Sequence, residues 1–200
     1  MTVRFATVAD VDSVAALHAE RISEGFLVTL GPAFLRRLYR RIATSPRAFV
    51  IVMDDPEHNP RVCGFVAVAE STSALYREFL VHDGLAAGLA ATRGIVRSPR
   101  AVVETLRYGL RGGGDGGREQ PAGAEVLATA VAADCGKRGI GTRLVRAAVE
   151  ELTRRGAVSA RVVTATGNLA AVRAYERGGF RLSGIDEVHR GVPQQLLVWP

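Results

Sequence analysis

The sequence predicts a mixed α/β (α+β) fold in a single domain, and three observations carry that expectation. Short apolar runs of strand length alternate with segments whose apolar residues recur at helical spacing. Two of those runs, 48–53 and 62–69, flank a turn-rich stretch and read as a hairpin. The chain has 200 residues, enough for one packed core and short for two.

Taken in order, a strand over 3–7 opens the chain. Thr7 and Asp10 form a capping-box-like start for a helix with Val11, Val14, Ala15 and Ile22 on its apolar side and His18 on the same face. Residues 24–30 read as a loop. Gly31 and Pro32 open a second helix, with proline where a helix tolerates it. Phe34, Leu35, Leu38 and Ile42 line one side of it; Arg36, Arg37, Arg40 and Arg41 lie mostly on the other, as a solvated face. The hairpin follows, its turn over 54–60 rich in Asp and Pro. Residues 71–111 read as helical, with Leu75, Phe79 and Leu80 apolar and a second helix start at Ser98 and Pro99 before Val102, Val103 and Leu106. The glycine-rich run 111–118 has too little to bury and reads as a flexible linker. Insert and linker together span 71–121.

The last third is the best patterned. Residues 125–131 form a strand, and 132–141 a loop rich in glycine and basic residues. The helix over 142–155 puts Leu144, Val145, Ala148, Val149 and Leu152 on one face and stops at Gly156. A strand over 158–164 follows. Asn168 caps a helix ending near Gly178 and Gly179, and Phe180 begins a final pair of strands.

Composition narrows the function classes. Hydrophobic residues at 48% and charged residues at 23% exclude a disordered or collagen-like chain. The formal charge of +6 invites an anionic partner, but the basic residues show no aromatic interleaving or reader motif, so no nucleic acid is expected. Cys63 and Cys135 lie too far apart in sequence to suggest a structural zinc site or a disulfide framework. No metal is expected. No signal peptide or membrane span is visible, and a cytoplasmic location is the expectation.

The loop from Asp134 to Thr142 joins a strand to an amphipathic helix. Free backbone N–H groups and the positive end of the helix dipole suit such a junction to an anion. Its glycines permit close approach of the backbone, and Lys137 and Arg138 add charge. Two phosphate-loop patterns are excluded: Lys137 is followed by Arg138 rather than Ser or Thr, and Leu144 stands where a dinucleotide fingerprint needs its third glycine.

Asn168, Ala171, Tyr175, Gly179 and Phe180 continue the pattern, and with the preceding loop the segment resembles the GNAT superfamily of acyl-CoA-dependent N-acyltransferases. The opening residues 3–7 with Asp10, and Gly64 and Phe65, fit more loosely. The resemblance implies a mixed, mostly antiparallel twisted sheet flanked by helices, with the 71–121 insert between strands three and four. It implies acetyl-CoA as cosubstrate and a primary amine as acceptor, by direct transfer in a ternary complex. Ala130, Val131 and Ala132 would pair with the pantetheine arm. Backbone amides of Lys137, Arg138, Gly139, Ile140, Gly141 and Thr142 would hold the pyrophosphate. Asn168 would lie near the thioester, with Ala171 in the same helix, and Tyr175 would face the sulfur. One departure stands out: the family has Gln or Arg where this chain has Gly136, and Lys137 or Arg138 would replace that contact.

Acyl transfer to an amine needs two proton transfers. An alkylammonium of pKa about 10.4 costs about 4–5 kcal/mol to deprotonate at neutral pH. Glu125, 14 residues before Gly139, occupies the position of the general base in some branches; Glu70 is the reserve. The departing thiolate requires an acid, for which Tyr175 is the candidate. Phe26, Phe34 and Glu70 would shape the acceptor pocket. His18 reads as a half-buried helix histidine, with acceptor contact as the alternative. Cys135, beside basic residues, is expected to have a lowered pKa without serving as a nucleophile. A second reading is a cofactor-binding regulatory module with little turnover, whose insert covers the site or mediates association as a homodimer.

Overall fold

The computed structural model describes residues 1–22, 26–58, 61–90, 123–136, 138–187 and 193–200. Strands β1 (Thr2–Phe5), β2 (Ala48–Asp54), β3 (Val62–Ala69), β4 (Ala124–Val131), β5 (Ala160–Ala165), β6 (Arg181–Glu187) and β7 (Pro193–Trp199) form one sheet in the order β1-β2-β3-β4-β5-β7-β6. All neighbouring pairs are antiparallel except β4 with β5. The last strand in sequence thus inserts between β5 and β6. The helices are α1 (Val11–Arg21), α2 (Phe26–Thr29), α3 (Pro32–Thr44), α4 (Thr72–Ala90), α5 (Ile140–Arg154) and α6 (Leu169–Arg177).

Every residue of β2 and β3 is buried, because helices cover both faces of the sheet's centre. That explains why these two strands read as unbroken apolar runs rather than alternating ones. Phe65 stacks on His18 of α1 at 6.4 Å and meets Tyr39 of α3 edge-on at 5.3 Å. Its neighbour Gly64 points to the other face, where an added Cβ would lie 3.0 Å from Ile140 and 3.1 Å from Leu144 of α5. Glycine there lets α5 settle close against β3.

The start of the chain is tied down as the sequence predicts. The Thr7 N–H donates to Asp10 at 2.7 Å, and the Arg4 guanidinium grips the same carboxylate with two bonds of 2.8 Å. Arg4, with the Thr7 bonds, holds the Asp10 carboxyl down at about 2.

Two expectations change. The segment read as a loop over 24–30 contains the short helix α2, anchored by buried Leu30. The helical part of the insert is no appendage: α4 buries Leu75 and Phe79, and Phe34 of α3 meets Phe79 edge-on at 5.4 Å. Ser45 donates to Glu78 at 2.8 Å, and Arg41 pairs with Asp83 at 2.7 Å. The second helix start at Ser98 and the glycine linker lie outside the described residues.

Candidate active site

β4 and β5 share only two paired positions, Ala124 with Ala160 and Glu125 with Arg161. Beyond them the strands part, β4 running on to Val131 and β5 to Ala165. Within β4 the register against β3 steps from Val126–Val68 to Ala128–Ala67, so Leu127 is an extra, bulged residue. A bulge bends its strand and increases the local twist, which turns the end of β4 away from β5.

The bulge also decides which face each side chain reaches. Cross-strand partners share a face. Glu125, Ala128 and Ala130 therefore lie with Ala69, Ala67 and Phe65, on the side of α1, α3 and α4. Val126, Thr129 and Val131 lie with Val68, Val66 and Gly64, on the side of α5. The Ala132 N–H donates to the Cys63 carbonyl at 2.9 Å. Antiparallel alternation then directs the backbone groups of Ala130 to β3 as well, and those of Thr129 and Val131 into the split. Of the three residues expected to offer their backbone to the pantetheine arm, Val131 faces the split, as does Thr129, whereas Ala130 and Ala132 face β3.

At the open end of the split stands the N-terminus of α5. Gly139 precedes it with φ +69°, a left-handed conformation that glycine adopts without strain, and no side chain caps the helix. The N–H groups of Ile140, Gly141 and Thr142 have no acceptor within the helix, so their dipoles are available to an anion. Arg138 is exposed beside them; Lys137 lies outside the described residues.

Tyr175 of α6 is buried, packed edge-on against Phe180 at 5.7 Å. Burial pushes its phenol up to about 12, moderated by the adjacent Thr129 hydroxyl. Thr129 Oγ1 is buried and makes no hydrogen bond of normal geometry among the described residues. The sequence reading missed Thr129, because only the fold brings it beside Tyr175.

Glu125 sits at the closed end. Its Oε2 accepts from the Thr72 hydroxyl at 2.8 Å and from Arg161 at 3.0 Å. Glu70 is engaged elsewhere, pairing at 2.8 Å with Arg155 at the far end of α5. The Asn168 side chain accepts the Ala171 N–H at 3.2 Å, the predicted cap. Phe34 packs on Phe79 as described, and the Phe26 side chain lies outside the described residues. His18 is fully buried and shares a 2.6 Å hydrogen bond with Tyr39; burial lowers it to about 4. One cysteine expectation is overturned. Pairing of Cys63 with Ala132 brings the thiols of Cys63 and Cys135 together, and burial raises the Cys135 thiol instead of lowering it. Loss of solvation outweighs the nearby Arg138 charge.

The acetyltransferase (GNAT) family model matches residues 19–180. No curated protein matches the chain by sequence. Among solved structures, the chain resembles AAC(6')-Ib, an aminoglycoside acetyltransferase, in complex with paromomycin and acetyl-CoA. The identity is 18%, the TM-score 0.60, and 99% of this chain and 92% of that one are covered. It also resembles the ribosomal-protein-alanine N-acetyltransferase of Brucella melitensis, at 15% identity and TM-score 0.61 over 99% of this chain and 98% of that one. A point mutant of the spermidine N-acetyltransferase of Vibrio cholerae matches at 15% identity and TM-score 0.59 over 100% and 94%. No helix among the described residues is long and apolar enough to cross a membrane.

Proposed function

Because the chain belongs to the GNAT acetyltransferase family, we propose that it is an N-acetyltransferase moving an acetyl group from acetyl-CoA to a primary amine of a small molecule or peptide. Transfer is direct, in a ternary complex. One observation carries this reading: the split between β4 and β5 gathers an uncapped helix start, an unpaired strand edge and a buried phenol around one opening.

The residues present fit such a cosubstrate. The start of α5 suits a pyrophosphate. The strand edge at Thr129 and Val131 suits an amide-bearing arm, which it would bind as an added strand. When bound, acetyl-CoA supplies an activated acyl carbon and a thiolate leaving group.

Tyr175, protonated throughout the neutral range, donates the proton that the departing sulfur requires. Glu125 accepts the proton shed by the amine. Four residues of strand, about 13 Å, separate it from Thr129, so it acts through water. It also lies on the opposite face of the sheet. The amine then approaches from the side of α1, α3 and α4 while Tyr175 serves the sulfur from the side of α5 and α6. Amine acceptors are supported by the neighbours, whose substrates include an aminoglycoside, spermidine and a protein alanine.

Free-thiol release from acetyl-CoA, run against amino sugars, polyamines, amino acids and peptides with mass detection of products, tests the proposal. At least one acceptor should gain an acetyl group. Binding of acetyl-CoA without acetylation of any of them would favour a cofactor-binding module instead.

A further inference from the structure

Beside the open end of the split, the turn between β2 and β3 meets the loop that precedes α5. His58 Nε2 lies 3.0 Å from Asp134 Oδ2 and 3.2 Å from Oδ1. With the Cys135 sulfur, these ligand atoms all fall within 4.8 Å of one another. The arrangement is held by backbone on both sides. The His58 N–H donates to Asp55 at 3.1 Å, and residues Ala133–Cys135 form a 3-10 turn closed by Cys135 N–H to Ala132 at 3.1 Å.

We infer that His58, Asp134 and Cys135 form a zinc site that fastens the β2–β3 turn to the loop before α5. A soft thiolate and a borderline imidazole beside one carboxylate favour Zn²⁺ over Mg²⁺ or Ca²⁺. Bonds of about 2.0–2.3 Å in tetrahedral array put ligand atoms about 3.3–3.7 Å apart, so small side-chain rotations close the site. The Cys135 thiol forms the Zn–S bond as its S–H breaks, and the proton leaves to solvent. Asp134 and the thiolate together balance the ion's two charges.

The neighbouring Cys63 sulfur closes the buried side of the site, its S–H directed to the Met53 carbonyl at 3.6 Å. The Asp134 side chain is 72% exposed and the His58 side chain 14%, which gives the ion an entry from solvent. Water completes the fourth position. An occupied site would restrain Asp134 and Cys135, directly before the Gly136–Thr142 segment.

The test uses the full chain, reduced with a phosphine, stripped by a chelator and desalted. Zinc is titrated in competition with a chromophoric chelator, and cobalt(II) replaces it for spectroscopy. One zinc per chain should bind, with affinity reduced about 100-fold or more in His58→Ala and Cys135→Ser. Cobalt should give intense tetrahedral d–d bands and a thiolate-to-metal charge-transfer band that Cys135→Ser abolishes. Melting of the metal-free variants verifies their folding; if buried Cys135→Ser does not fold, His58→Ala, on the turn, decides the matter. Absence of stoichiometric zinc, or undiminished binding in His58→Ala, overturns the inference and leaves a surface ion pair beside two buried thiols.

Discussion

Glu125 and Thr129, four residues apart on one strand, point to opposite faces of the sheet. Regular pleating would put them on the same face; the bulge at Leu127 inverts the alternation between them. The proposed proton acceptor and proton donor thereby lie on opposite sides of one opening, with Tyr175 beside Thr129 and Arg161 beside Glu125.

Tyr175→Phe should lower kcat by about 10²-fold or more while leaving the KM for acetyl-CoA nearly unchanged. An acid must be protonated to act, and the Tyr175 phenol is pushed up to about 12. Wild-type kcat should therefore show no alkaline loss between about pH 8 and about pH 10. Steady-state kinetics across that range checks both statements; an unaltered kcat in the variant removes Tyr175 from the chemistry.

Glu125→Gln retains an acceptor for Thr72 and Arg161, so it should fold while slowing transfer at neutral pH, with partial recovery as the amine deprotonates. Glu125→Ala differs. It removes a carboxylate from beside Arg161, whose side chain is only 8% exposed, and should lower stability. Denaturant unfolding beside pH–rate profiles separates the structural effect from the catalytic one.

Gly139→Ala meets no steric obstacle, since nothing lies within 4 Å of the added Cβ. Its cost is conformational, about 1–2 kcal/mol for a side chain at positive φ, and the strain falls on the start of α5. The rise in Tm produced by acetyl-CoA should shrink or vanish in this variant. An undiminished rise would detach the loop from cofactor binding.

Replacing residues 71–121 by a short turn should prevent folding, because it removes Leu75 and Phe79 from the core. Leu75→Ala alone should cost about 2–5 kcal/mol. Shortening confined to 91–121 leaves α4 in place and is the variant with which to ask whether the rest of the insert selects the acceptor. Circular dichroism and acceptor profiling of the two deletions check this.

Acid should destabilise the protein through Glu151. Arg154, with Arg155, holds its carboxyl down at about 2 against an ordinary value of 4.5. A depressed folded-state pKa contributes stability above pH 4.5 and loses it as pH falls toward 2. Glu151→Gln should be less stable than the wild type at neutral pH and should flatten the decline over that window, read from urea midpoints.

What the sequence by itself determined was local. Short apolar runs and the 3.6-residue period placed the strands and every described helix but α2, with the hairpin, the Asn168 cap and the proline start of α3 within a residue or two, because burial leaves its imprint on neighbouring positions. Glycine and basic residues before an amphipathic helix marked the uncapped start of α5, where the proposed anion site lies. The rest depended on pairing between distant segments. The bulge at Leu127 exists only in the register of β4 against β3, so the faces of Glu125 and Thr129 have no signature in either strand alone. The place of β7 between β5 and β6, the docking of α4 in the core and the contact of Cys63 with Cys135 likewise arise from partners far along the chain. The Cys135 thiol shows the physics most plainly: the basic residues that follow it would lower it, whereas the solvent removed by the folded chain raises it, and desolvation is a property of the whole packing around an atom.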